Sequence, residues 1–79
     1  MFYYVYILEM VNKTKYIGYS SHLKNRIKEH ETGNVPQTRK LRPIRLIYYA
    51  AFHSKKKALD FEKYLKTTSG FAFRNKRLI

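Results

Sequence analysis

The chain has no cysteine, only five acidic residues, three glycines and two prolines among its 79 residues. The missing cysteine excludes disulfides, thiolate metal sites and thiol nucleophiles. No apolar run reaches the length of a membrane span, and the N-terminal FYYVYILEM has neither a charged leader nor a cleavage site, so an intracellular, cytoplasmic setting is expected. No P-loop, GxGxxG, HExxH or paired-carboxylate motif is present. Acid–base or metal chemistry would have to draw its carboxylates from Glu9, Glu29, Glu31, Asp60 and Glu62.

Basic residues are the opposite case. Seventeen lysines and arginines leave a formal charge of +12 on a 9.6 kDa chain. Such a field repels other copies and attracts polyanions, and nucleic acid is favoured over an acidic membrane. The length fits one domain, residues 1–79, with a modest core. With no covalent staple, eight tyrosines and five phenylalanines must supply much of that core.

Taken along the chain, Phe2–Leu8 is apolar on both faces apart from its tyrosine hydroxyls, which reads as a central strand. A turn around Asn12-Lys13 leads to a returning strand, Lys15–Ser20. An odd loop centred on Asn12 would put Tyr6 and Tyr16 on one face, and a two-residue turn would put them on opposite faces. Gly18, inside the second strand, suggests a bulge or the close approach of another backbone. Ser20-Ser21 is expected to cap a helix from His22 to about Glu31, with Leu23 and Ile27 as its buried stripe. His22, Arg26 and His30 repeat every four residues and so share one neighbouring face.

Residues 32–43 read as the one clear loop, either a substrate-holding segment or a plain connector. Ile44–Phe52 reads as a third strand interrupted by Arg45. Ser54 is expected to cap a second helix, from Lys55 to about Thr67, with Ala58, Phe61 and Leu65 inward and Glu62 at the margin of that stripe. Gly70 is expected to end that helix. A short closing helix or tail, anchored by Phe71, Phe73 and Leu78, completes the chain. The fold class is α+β, a small three-stranded antiparallel or mixed sheet flanked by helices in the order β-β-α-β-α-α.

Tyrosine, arginine, histidine and one spare carboxylate are the parts of a phosphodiester hydrolase. That reaction needs a water deprotonated, phosphate charge neutralised and a leaving oxygen stabilised. An arginine can grip two phosphate oxygens, and one glutamate suffices for a Mg²⁺ ion that keeps several waters. Each residue also has an ordinary reading: Tyr6 and Tyr16 as strand tyrosines, His30 as a partner of the helix dipole, Glu62 as an ion-pair partner for Lys66.

The ordered set Tyr4-Val5-Tyr6, Tyr16-Ile17-Gly18, Arg26, His30 and a later helical Glu62 resembles the GIY-YIG nuclease family. The second triplet matches fully. The first has Tyr4 for glycine and Val5 for isoleucine and keeps Tyr6. The tail KYLKTTSGFAFRNKRLI resembles that of small stand-alone bacterial members, which are similar to the incision domain of the bacterial excinuclease. The resemblance implies a divalent-metal-dependent endonuclease, with DNA a better candidate substrate than RNA. Tyr16 or Tyr6 would be the general base, Arg26 would hold the scissile phosphate, His30 would assist, and Glu62 would bind one Mg²⁺ or Mn²⁺ ion. Asn75 is the nearest match to an asparagine that the family often carries.

An ordinary phenol has a pKa of about 10, so a tyrosine base needs the surrounding positive charge to favour phenolate. Lys24, Lys28, Arg39, Lys40, Arg42, Lys55 and Lys56 are expected to meet nucleic-acid phosphates. A monomer is expected, with pairing on DNA as the alternative, because +12 per copy opposes close approach. The rival from another class is a non-catalytic nucleic-acid-binding module on the same scaffold.

Overall fold

The first strand, β1 (Tyr3–Glu9), takes the middle of the sheet because it alone is apolar on both faces: Val5, Tyr6, Ile7 and Leu8 are all fully buried. In the computed structural model, which describes all 79 residues, β2 (Lys15–Ser20) and β3 (Arg45–Phe52) flank it, both antiparallel, in the order β2-β1-β3. Three helices follow the same chain order, α1 (Leu23–Glu31), α2 (Lys55–Leu65) and α3 (Thr68–Arg77), giving the anticipated β-β-α-β-α-α architecture.

The hairpin loop is the odd one, Met10–Thr14. Asn12 Oδ1 accepts from the Thr14 amide and hydroxyl, and Lys13 takes a left-handed φ of 70°. Tyr6 therefore pairs with Gly18, and Leu8 with Tyr16. Because paired residues point the same way, Tyr6 and Tyr16 share a face.

The opposite face carries the apolar core. Val5, Ile7 and Ile17 pack against Ala58 and Leu65 of α2, with Tyr48, Phe52, Phe61 and Leu78 at the margin. Losing one of the large aliphatic groups here, as in Ile7→Ala, costs about 2–5 kcal/mol. The register between β1 and β3 shifts at Ile7/Leu8, where Tyr48 and Leu46 are consecutive partners and Ile47 is the extra residue. That bulge lets Ile47 and Tyr48 both reach the core. Arg45, which interrupts the third strand's apolar run, pairs with Glu9 at 2.7 Å.

Several local expectations are corrected. Neither Ser20 nor Ser21 caps α1; its N-cap is His22, and Ser20 Oγ instead accepts from the His22 amide at 2.9 Å. Leu23 and Ile27 are only partly buried, and the fully buried residue of α1 is His30. Ser54 does cap α2, accepting from the Lys57 amide at 3.2 Å, but the helix stops at Leu65. Gly70 ends nothing. It lies inside α3, whose cap is Thr67, and a Cβ there would collide with the Tyr64 carbonyl, so glycine lets α3 fold against the end of α2. Phe71 and Phe73 remain largely exposed, and α3 instead buries Gly70 and Arg74.

Candidate active site

The residues on the second face of the sheet converge through one contact. Tyr6 crosses from β1 over Gly18 of β2, and its hydroxyl meets His30 Nε2 at 2.9 Å. A Cβ on Gly18 would lie inside the Tyr6 ring, 2.8 Å from Cε2 and closer still to Cζ and the oxygen. The close approach anticipated at Gly18 is thus made by a side chain, not by a backbone, and no bulge lies there.

His30 is held in place by the end of α1. Gly33 (φ 83°) donates to the His30 carbonyl and Asn34 to that of Glu29, a paired closure that turns the chain back under the sheet. The turned segment buries Val35 and Thr38, and Thr38 Oγ1 sits 2.8 Å from His30 Nδ1. Thr38 is a site residue that the sequence reading missed. Its only signal was a polar residue inside the long basic loop, and that loop proves to be neither a plain connector nor an open one.

Either neutral tautomer of His30 satisfies both partners, Thr38 Oγ1 at Nδ1 and the Tyr6 hydroxyl at Nε2. Burial, reinforced by the Arg26 charge and opposed by Glu29, lowers the His30 pKa and keeps the ring neutral. Burial likewise pushes the Tyr6 hydroxyl up to about 12, against the Arg26 guanidinium, which favours the phenolate; the charges of Tyr16 and Glu62 raise it further. Tyr6 is therefore protonated at neutral pH.

Tyr16 stands beside this pair, its ring 6.3 Å from that of Tyr6 and 5.0 Å from the His30 imidazole. Unlike Tyr6 it is part-exposed and lines an open cleft with Lys15, Lys66 and Arg74. Arg26 is also part-exposed and is engaged by Glu29 at 3.2 Å, a screened ion pair at the surface that a phosphate can replace. Glu62 keeps only 19% of its side chain exposed and pairs with Lys66 at 3.1 Å. The ion-pair reading of Glu62 is thus observed, and its charge adds to the rise in the Tyr6 pKa.

No group of three or more histidines, cysteines or carboxylates could hold a metal ion. One carboxylate fits an ion that shares its coordination with water and substrate phosphate, as Mg²⁺ does, and does not fit an ion caged by protein. Asn75 borders a different groove, with Glu9, Lys15 and Arg45. His22 is exposed, with Nδ1 3.1 Å from Ser21 Oγ.

Of the basic residues expected at phosphates, Lys24, Lys28, Arg39, Lys40 and Lys55 are exposed, and Lys56 is paired with Asp60 at 2.9 Å. Arg42 is a brace. Its Nε donates to the Arg39 carbonyl at 2.9 Å and its guanidinium reaches the Glu31 carbonyl at the end of α1.

A tyrosine from each strand of a hairpin, an arginine and a histidine from the next helix and a carboxylate from a later one stand in the order of the GIY-YIG pattern. The chain belongs to that family: the GIY-YIG catalytic domain matches residues 2–77. Among its relatives, the UPF0213 protein SpyM3_1077 of Streptococcus pyogenes serotype M3 is 42% identical over 64 residues, covering 80% of this chain and 70% of that protein. SpyM50708 of serotype M5 is 41% identical over the same shares. The solution structure of the UPF0213 protein BH0048 from Bacillus halodurans superposes with a TM-score of 0.62 at 36% identity, covering 96% of this chain and 82% of that one. The family supports a nuclease-type function on nucleic acid, generally with a divalent metal. No helix is long and apolar enough to cross a membrane.

Proposed function

We propose that the chain is a divalent-metal-dependent DNA endonuclease, a single nuclease domain spanning residues 1–79, with Tyr16 as its general base. The observation that carries the assignment is the difference in burial between the two tyrosines: Tyr6 is fully buried and bonded to His30, whereas Tyr16 is part-exposed beside an open cleft that Lys15, Lys66 and Arg74 also border. A base must reach the attacking water.

In this reading Arg26 leaves Glu29 and grips two oxygens of the scissile phosphate, offsetting the charge that builds up in the transition state. The Tyr16 oxygen takes the proton of a water whose oxygen attacks phosphorus, its own hydroxyl proton passing to solvent. The bond from phosphorus to one bridging oxygen then breaks, and that oxygen leaves as a hydroxyl by taking a proton from solvent water. Glu62 would hold one Mg²⁺ or Mn²⁺ ion, which supplies positive charge at the leaving oxygen. Tyr6 and His30 touch no reacting atom; they fix Arg26 and the ring of Tyr16 in place. The exposed Lys24, Lys28, Arg39, Lys40 and Lys55, with Lys56, track the strand, and a repair or processing role suits an enzyme of low sequence preference.

Nicking of supercoiled plasmid and branched DNA in Mg²⁺ or Mn²⁺ tests the proposal, with Arg26→Ala beside the wild type. Cleavage by the wild type and none by the variant is expected. Tight, salt-sensitive binding with no scission by either protein would instead favour a non-catalytic binding module.

A further inference from the structure

Arg74 is the one charged side chain of the structure that is buried without a partner. It is 8% exposed, its Nε has no hydrogen-bond partner, and its guanidinium carbon stacks 4.4 Å from the centre of the Phe71 ring. The five carboxylates do not explain it. Glu9, Glu29, Asp60 and Glu62 are paired with other cations, and Glu31 lies on exposed α1 with no ion pair to Arg74. Burial lowers its pKa from the ordinary arginine value.

A buried, unpaired guanidinium is unfavourable for folding alone, and an aliphatic side chain would fill the space at less cost. Its position follows from α3. Gly70 packs that helix against the Tyr64 carbonyl, and Arg74, one turn later on the same face, is carried to β2, where it lines the Tyr16 cleft with Lys15 and Lys66. Those two lysines are answered by Glu9 and Glu62. Arg74 is not. A planar fork of N–H donors, fixed by stacking on an aromatic ring, matches the oxygens of a phosphate.

We propose that Arg74 is a phosphate-binding residue, holding a backbone phosphate of the nucleic-acid strand next to the one that Arg26 grips. The proposal rests on the nuclease reading for which phosphate is cut, but not for binding itself. The strand would then be fixed on both sides of Tyr16, and one of its two holds would come from α3, a part of the chain outside the family's name-giving motifs.

The test is binding of a labelled oligonucleotide without divalent ions across a salt series, for wild type, Arg74→Met and Arg74→Lys. Neutralising one phosphate contact should lower the slope of log affinity against log salt by about 0.7–0.9 in Arg74→Met, while its melting temperature without DNA stays level or rises. Single methylphosphonate substitutions should reveal one backbone position whose neutralisation weakens the wild type and leaves Arg74→Met unaffected. Should Arg74→Met fail to fold, Arg74→Lys decides: the penalty at that position should shrink while the salt slope stays. An unchanged slope in folded Arg74→Met, or equal methylphosphonate penalties at every position in wild type and Arg74→Lys, would overturn the proposal. Wild-type protein that shows this binding pattern yet never nicks DNA would refute the nuclease reading and leave the phosphate site standing.

Discussion

The Tyr6 hydroxyl is hydrogen-bonded to His30 Nε2 at 2.9 Å in a contact with no solvent exposure on either residue. It joins the central strand to the end of α1, and Thr38 Oγ1, 2.8 Å from His30 Nδ1, extends it into the loop beyond. The two residues that resemble catalytic acids and bases most closely on paper are thereby committed to each other. In the proposed mechanism the chemistry falls to Tyr16, whose ring lies beside both, and to Arg26.

Gly18 is where this arrangement is most easily broken. The Tyr6 ring occupies the space that any side chain at Gly18 would fill. Gly18→Ala should cost about 1–3 kcal/mol of stability by overpacking, and should slow cleavage because the displaced Tyr6 ring crowds the neighbouring ring of Tyr16, a displacement that Tyr6→Phe does not cause. Chemical denaturation and a nicking assay on the same preparation would check both. An alanine variant with wild-type stability and rate would mean that the Tyr6 ring has room to move.

His30 should make the protein less stable in mild acid. Its folded pKa lies below the unfolded value of about 6.5, so the unfolded chain binds the proton more readily. Its contribution is complete above about pH 6.5 and is lost as pH falls from there through the folded value. Melting temperatures between about pH 7 and 5, above the range where ordinary carboxylates titrate, should decline in the wild type and be flatter in His30→Gln. Equal slopes would show that the imidazole is not held neutral by the fold.

Glu62 separates binding from cleavage. Glu62→Gln should abolish metal-dependent nicking, because an amide is a much poorer ligand for a hard cation, while leaving oligonucleotide affinity unchanged or slightly higher. Its packing cost should be small, since the ion pair with Lys66 lies near the surface. Full Mg²⁺-dependent activity in the variant would remove Glu62 from the site.

The fold and the grouping of the candidate site residues were legible because their signals are local. An odd loop centred on Asn12 aligns Tyr6 with Tyr16, and four-residue spacing aligns Arg26 with His30. What escaped were contacts between segments distant in the chain. Thr38 acquires its role only when the Gly33 closure folds the loop under the sheet, and nothing around position 38 announces that. Gly70 looks like a helix stop because glycine usually is one, but its requirement comes from the Tyr64 carbonyl against which α3 packs. Phe71 and Phe73 looked like core anchors, whereas α3 turns Arg74 inward and leaves both rings largely in solvent. Composition gives no warning of a buried arginine.

The central claim is that Tyr16, not Tyr6, takes the proton. Single-turnover nicking by Tyr16→Phe and Tyr6→Phe, each shown to be folded, tests it most directly. Tyr16→Phe should lose about 10²–10⁴-fold in rate, the usual worth of a general base, with stability near that of the wild type. Tyr6→Phe should lose about 1–3 kcal/mol of stability, because His30 Nε2 is left buried without its hydrogen-bond partner, and should retain most of its cleavage rate below its melting temperature. Wild-type nicking by Tyr16→Phe alongside a folded but inactive Tyr6→Phe would contradict the account.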